Sequence, residues 1–227
     1  MSDLHDLIRA CKSEPDDDAP RLVLADWLEE HGQPDRAEFI RRQIEGSGHA
    51  PAKPEWLGAW RGWAEAWYPQ SKLESSNLGV VAEFPYPVAF RRGFIRVSDS
   101  YDELYKRLAD ILRPPYDWTW VEGIEFGSWH SGDWTPLIES PLFLELNSAF
   151  FDSDHYAPVL VDPLSKSPNV SHLKDLGLLM VHVLDEGVAK LSQATHLARL
   201  RSLEISFGGI GEGGSRAFAR SEVWDLL

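Results

Sequence analysis

Three groups of residues in this 227-residue chain have types and spacings that could do chemistry. The first is glycine-rich. In LEISFGGIGEGGSRAFA, Leu203 to Ala219, residues Gly209, Gly211 and Gly214 satisfy G-x-G-x-x-G between a strand-like and a helix-like segment. That arrangement can rest a pyrophosphate on a helix N-terminus, as in dinucleotide-binding proteins. The other two are loop clusters: His130 with Asp133 in GSWHSGDW, and Asp152, Asp154 and His155 in FFDSDHY. Imidazoles beside carboxylates can hold a metal or move protons. Neither cluster has H-E-x-x-H or H-x-H spacing, and no G-x-S-x-G nucleophile elbow accompanies them. Asp152 or Ser153 also suits the cap of a helix beginning near His155.

The elements around the glycines decide what they are for. From residue 88 onward, GFIRVS, VEGIEF, FLELN, DLGLLM and SLEISF read as short strands with alternating apolar residues. Helical stretches, including DEGVAKLSQ and GSRAFARSEVW, separate the later ones. Residues 164–191 and 191–218 align without a gap at an offset of 27. Leu173 falls on Leu200, Leu176 on Leu203, Leu178 on Ile205 and Gly187 on Gly214. The period lies within the roughly 20–29 residues of leucine-rich repeats. His182 and Leu184 stand where Gly209 and Gly211 stand one unit later, so only the last glycine recurs. The glycines are therefore expected to serve the repeat, with Gly187 and Gly214 required by backbone angle at the turn into the helix. No dinucleotide is expected.

Residues 1–70 read as helices broken by turns. Leu4, Leu7, Ile8 and Cys11 repeat at helical spacing up to Pro15. Asp16, Asp17 and Asp18 then complement the start of a helix with Pro20 in its first turn, and Gly32 lies just past its end. They lack the alternating spacing and distal Glu of a calcium loop. Trp56, Trp60, Trp63 and Trp67 share one helical face, and the expectation is that this face packs against the protein. Arg21, Asp26, Arg36 and Glu38 are read as a network joining two helices. The stretch PDDDAPRLVLADWLEEHGQPDRAEFIRRQ, within residues 14–45, resembles the N-terminal signature of the bacterial repeat-companion domain proteins. That resemblance implies a short helical module preceding degenerate leucine-rich-type repeats, and it carries no biochemical activity with it.

Composition narrows the partners. A net charge of −14 opposes nucleic-acid binding and docking on anionic membranes, and favours a basic protein partner. Cys11 is the single cysteine, so neither an internal disulfide nor a cysteine zinc site can form. With no signal-like N-terminus and no apolar run of about 20 residues, the expected location is cytoplasmic.

The fold expected is α/β: a helical module over 1–70, a connection over 71–90, and leucine-rich-repeat-like units with short parallel strands over 91–227. Core positions would be Ile124/Phe126, Leu144/Leu146, Leu176/Leu178 and Leu203/Ile205. The residues between them, Glu125, Glu145, Gly177 and Glu204, would line the other face, with Arg96 in the equivalent place on the first strand. Three like charges on neighbouring strands would repel unless a cation or a basic partner covers them. The expected function is a non-enzymatic interaction module binding through Glu125, Glu145, Glu204 and Arg96, without cofactor or metal. The alternative is a metal-dependent hydrolase using the His/Asp loops.

Overall fold

The computed structural model describes residues 3–46, 88–99, 118–127, 132–152, 158–206, 208–224 and 227. The chain divides into two compact units, Met1–Val97 with Arg113–Glu122, and Ser98–Leu112 with Gly123–Leu227. The tryptophan stripe, His130, Asp154 and His155 lie outside the described residues.

The first unit holds helices α1 (Asp3–Ser13), α2 (Ala19–Glu30) and α3 (Pro34–Glu45). Pro20 and Pro34 sit in the first turns of α2 and α3, where the missing N–H has no intrahelical acceptor. Asp17 Oδ1 accepts from the Ala19 amide (2.9 Å), and Gly32 ends α2 with φ +78. Ile8, Cys11, Leu24, Leu28, Phe39 and Ile40 are buried between the helices. Strands β1 (Val88–Arg91) and β2 (Phe94–Asp99) form an antiparallel hairpin with Arg91 opposite Phe94. Its two-residue turn, Arg92-Gly93, has positive φ at both positions, matching the twist of the strands. Gly93 is also where the hairpin meets α3. Its amide donates to Gln43 Oε1 (2.6 Å), and a Cβ there would collide with Ile40. The boundary expected at residue 91 therefore falls inside this unit, because the hairpin is seated on α3.

In the second unit the strand β3 (Val121–Phe126), from Gly123 onward, pairs in parallel with β4 (Ser148–Asp152). β5 (Asp175–Leu179) and β6 (Ser202–Ser206) continue the parallel sheet in sequence order. Short helices follow the strands: α4 (Thr135–Ile138), α5 (Pro158–Lys166), α6 (Leu184–Leu191) and α7 (Glu212–Ala219). The protein is thus a mixed helix and parallel-sheet structure, as expected.

One expected strand is displaced. FLELN is not a strand: Pro141–Glu145 is a 3-10 helix, and β4 begins at Ser148. Leu144 is 42% exposed, and the core pair of this unit is Ala149/Phe151. With the register corrected, Ala149, Leu176 and Leu203 succeed one another at 27 residues, and Ile124 precedes Ala149 by 25. The 3-10 helices starting at Pro141, Pro168 and Thr195 keep the same step. So do the buried residues Leu146, Leu173 and Leu200. Unit is tied to unit by backbone bonds from Asp175 N to Asn147 O and from Ser202 N to Lys174 O.

Candidate interaction surface

Alternation along the parallel strands places Ile124/Phe126, Ala149/Phe151 and Leu176/Leu178 in the core. On the opposite face the register aligns Glu125, Phe150, Gly177 and Glu204 in one row. Phe150 stands where Glu145 was expected; Glu145 is the last residue of a 3-10 helix and contributes nothing to the row. The Phe150 ring lies over Gly177, in the space a side chain at 177 would fill, and is itself half-buried. A ring covering a glycine on the next strand preserves packing where a side chain is missing. Glu125 and Glu204 are exposed on either side of it.

Asp152, two residues after Phe150 on the same face, is also exposed, and Asp175 is half-buried. The strand residues 123–126, 148–152, 175–179 and 202–206 include no Lys or Arg. Like-charge crowding is not what sets this surface apart. Glu125 and Glu204 are separated by two intervening strands, about 14 Å at the usual spacing. That exceeds the roughly 8 Å Debye length at physiological salt. The distinguishing feature is a flat ring lying between two exposed carboxylates.

Arg96 belongs to other chemistry. On β2, in the first unit, its Nε lies 3.6 Å from Glu122 Oε1. Glu122 is 2% exposed and also faces Arg21, 1% exposed, across 3.4 Å. Burial holds the Glu122 carboxyl above the ordinary range, with Arg96 and Arg21 pulling the other way. Within the signature, Asp26 pairs with Arg41 (2.7 Å) rather than with Arg21, and Arg41 also binds Glu29 across 2.7 Å. Arg41 thus joins α2 to α3. Arg36 lies over the Trp120 ring, 5.0 Å from its centroid.

The glycine loop has an occupant of its own. Asp185, in the first turn of α6, accepts from the Gly211 amide through Oδ1 (2.6 Å) at the start of α7. The amides of Gly211, Gly214 and Gly213 hold its carboxyl below the ordinary aspartate range. Donors that could cradle a pyrophosphate are engaged by a carboxylate of the preceding unit. The glycines also differ from expectation in what requires them. Gly209 takes φ +63, whereas Gly187 and Gly214 have no positive φ. A Cβ at 214 would meet Ile210 at 2.7 Å, and one at 187 would meet Val183 at 2.8 Å. Close packing against the residue four positions back, not backbone angle, is what the recurring glycine serves.

A group with a depressed folded pKa stabilises above its unfolded value, about 3.9 for aspartate, and loses that effect as pH falls through the folded value. The Asp185 carboxyl is therefore expected to titrate below 3.9, with the Gly211 amide shift moving at the same midpoint. Asp185→Asn should abolish that transition. An NMR titration with a midpoint at or above the ordinary value would contradict this bonding of Asp185 to the glycine amides.

Of the loop residues considered for metal or acid–base chemistry, Asp133 Oδ1 accepts from the Thr135 amide at the start of α4 (2.8 Å). Asp152 is exposed at the end of β4. Among the described residues no three His, Cys, Asp or Glu side chains converge as a metal site would require. None of the helices they form is long and apolar enough to cross a membrane. No family model, curated protein or solved structure matches the chain.

Proposed function

We propose that this chain is a non-enzymatic protein-interaction module. Its second unit is read as a short leucine-rich-type solenoid that presents the Glu125–Phe150–Gly177–Glu204 row to a basic segment of a partner protein. The observation that carries this is the row itself, an aromatic ring lying on a glycine between two exposed carboxylates. A Lys or Arg side chain over the ring face gains cation–π attraction, and the flanking carboxylates supply opposite charge. The even step of the units supports the solenoid reading, since stacked repeats present one continuous face. The partner binds outside the membrane and without nucleic acid.

The test is fluorescence anisotropy with a labelled Arg/Lys decapeptide. Glu125→Lys with Glu204→Lys should weaken binding about tenfold or more, and the wild-type affinity should fall as salt rises. Glu139→Lys with Glu222→Lys makes the same charge change at exposed positions away from the row, and should weaken it far less. Phe150→Ala, which leaves every charge in place, should also weaken it. Equal losses in both charge variants, with Phe150→Ala unchanged, would reduce the effect to net charge and overturn the assignment.

A further inference from the structure

The first unit carries a surface of a different kind. Helix α2 is apolar on both sides. Leu24, Ala25 and Leu28 are buried, yet Leu22 and Val23 remain 41% and 53% exposed and Trp27 is half-buried. A surface helix serving only its own core confines its apolar residues to one stripe. Here Val23 and Trp27 line a groove of about 510 Å³ between α1 and α2. Leu7, Val23 and Trp27 supply the apolar lining, and Asp3, Asp6, Asp26 and Glu30 the carboxylates. The contributing positions step by three and four along each helix, so the groove follows both helices rather than a loop. From Val23 to Glu30 it runs about 10 Å, the length of two helical turns.

Trp27 is held in place. Its ring stacks on His31 with centroids 3.7 Å apart and planes at 11°, and His31 Nδ1 lies 2.7 Å from the Trp27 carbonyl. The carboxylates are only partly neutralised. Asp6 pairs with Arg9 at 3.3 Å and Asp26 with Arg41 at 2.7 Å, while Asp3 and Glu30 have no partner among the described residues.

We infer that this groove seats an amphipathic basic helix of a partner protein. Its apolar side chains would rest on Leu7, Val23 and Trp27, and its Lys or Arg residues would reach Asp3, Asp6, Asp26 and Glu30. A groove between two helices accepts a third helix by ridge and groove packing. The carboxylates around it select the charge of the occupant. This surface is independent of the sheet row in the second unit.

The probe is a labelled 14-residue Leu/Lys peptide with leucines at i, i+3, i+4 and i+7, compared with a Leu/Glu peptide of the same pattern. The Leu/Lys peptide should bind and the Leu/Glu peptide should not. Val23→Lys and Glu30→Lys change exposed positions, so they should leave the circular dichroism unchanged while each weakens binding about tenfold. The variant carrying Glu125→Lys and Glu204→Lys should bind the Leu/Lys peptide as well as the wild type does, which separates this inference from the sheet reading. Binding unaffected by Val23→Lys, equal binding of the Leu/Glu peptide, or a dimer in sedimentation that Val23→Lys dissociates would each overturn it.

Discussion

An Arg21→Met protein is expected to lose about 3–5 kcal/mol of stability, the usual range for breaking a buried charge pair from one side. Methionine fills much of the same volume, so the loss would come from polar groups left behind. Arg21 Nη1 donates to the carbonyls of Cys11 (3.4 Å), Glu14 (3.2 Å) and Asp17 (3.1 Å), which lie at the end of α1 and in the loop beyond it. Nη2 faces Glu122 Oε2, and the guanidinium sits 5.2 Å from the Phe94 ring centroid. Without it, three carbonyls lose a donor and a buried carboxylate loses one of its two arginines. The pH dependence follows from Glu122. A carboxyl whose folded pKa is raised favours folding below its unfolded value, about 4.3, and the advantage is lost as pH rises through the folded value. Removing Arg21 raises the folded value further, so the deficit should shrink as the solution is acidified. Cys11 gives a local readout. Its thiol is fully buried and pushed up to about 12, chiefly by burial, with Arg21 pulling the other way. Labelling therefore needs the unit to open, and a thiol reagent should label it faster in the less stable variant. Arg42→Met, which removes only exposed pairs with Glu38 and Glu45, should melt like the parent.

Phe151→Ala is expected to cost about 3–5 kcal/mol, while Phe150→Ala, one residue earlier, costs under about 1 kcal/mol. Phe151 is fully buried and lies parallel to Phe126, with centroids 5.0 Å apart. Trp134 meets both rings edge-on, at 5.2 Å and 5.1 Å. Truncation removes one member of a three-ring cluster and leaves a cavity that its rigid neighbours cannot close. Phe150 rests on the outer face over Gly177, where a truncated side chain leaves open surface rather than a void. A one-residue slip of the strand would exchange the two outcomes, so the pair of melting curves also tests the register.

How much of this the sequence shows depends on how local the cause is. The last two strands were legible because Leu176/Leu178 and Leu203/Ile205 repeat at one offset with identical alternation. The strand before them was not. FLELN alternates as a strand should, yet Leu142 and Phe143 are buried from a 3-10 helix and Leu146 from the extended residue that follows it. The true strand, SAFFD, places phenylalanine on both faces and therefore shows no alternation. One more step of the same offset, from Leu173 to Leu146 and from Leu176 to Ala149, would have found it. Phe150 goes unseen with the strand, and the alternation in FLELN puts Glu145 on the face in its stead. Arg21 and Glu122 are 101 residues apart, and no local pattern connects them. Asp185 was hidden for a related reason: a motif lists the donors around an anion, but not a carboxylate one unit away that already binds them.

The most direct test of the acidic row is an amide shift map on ¹⁵N-labelled protein titrated with the Arg/Lys decapeptide. If the row is the binding surface, the largest shifts fall on Glu125, Phe150, Gly177 and Glu204. They should disappear in the variant carrying Glu125→Lys and Glu204→Lys. Largest shifts elsewhere, with those four residues silent at saturation, would contradict the assignment.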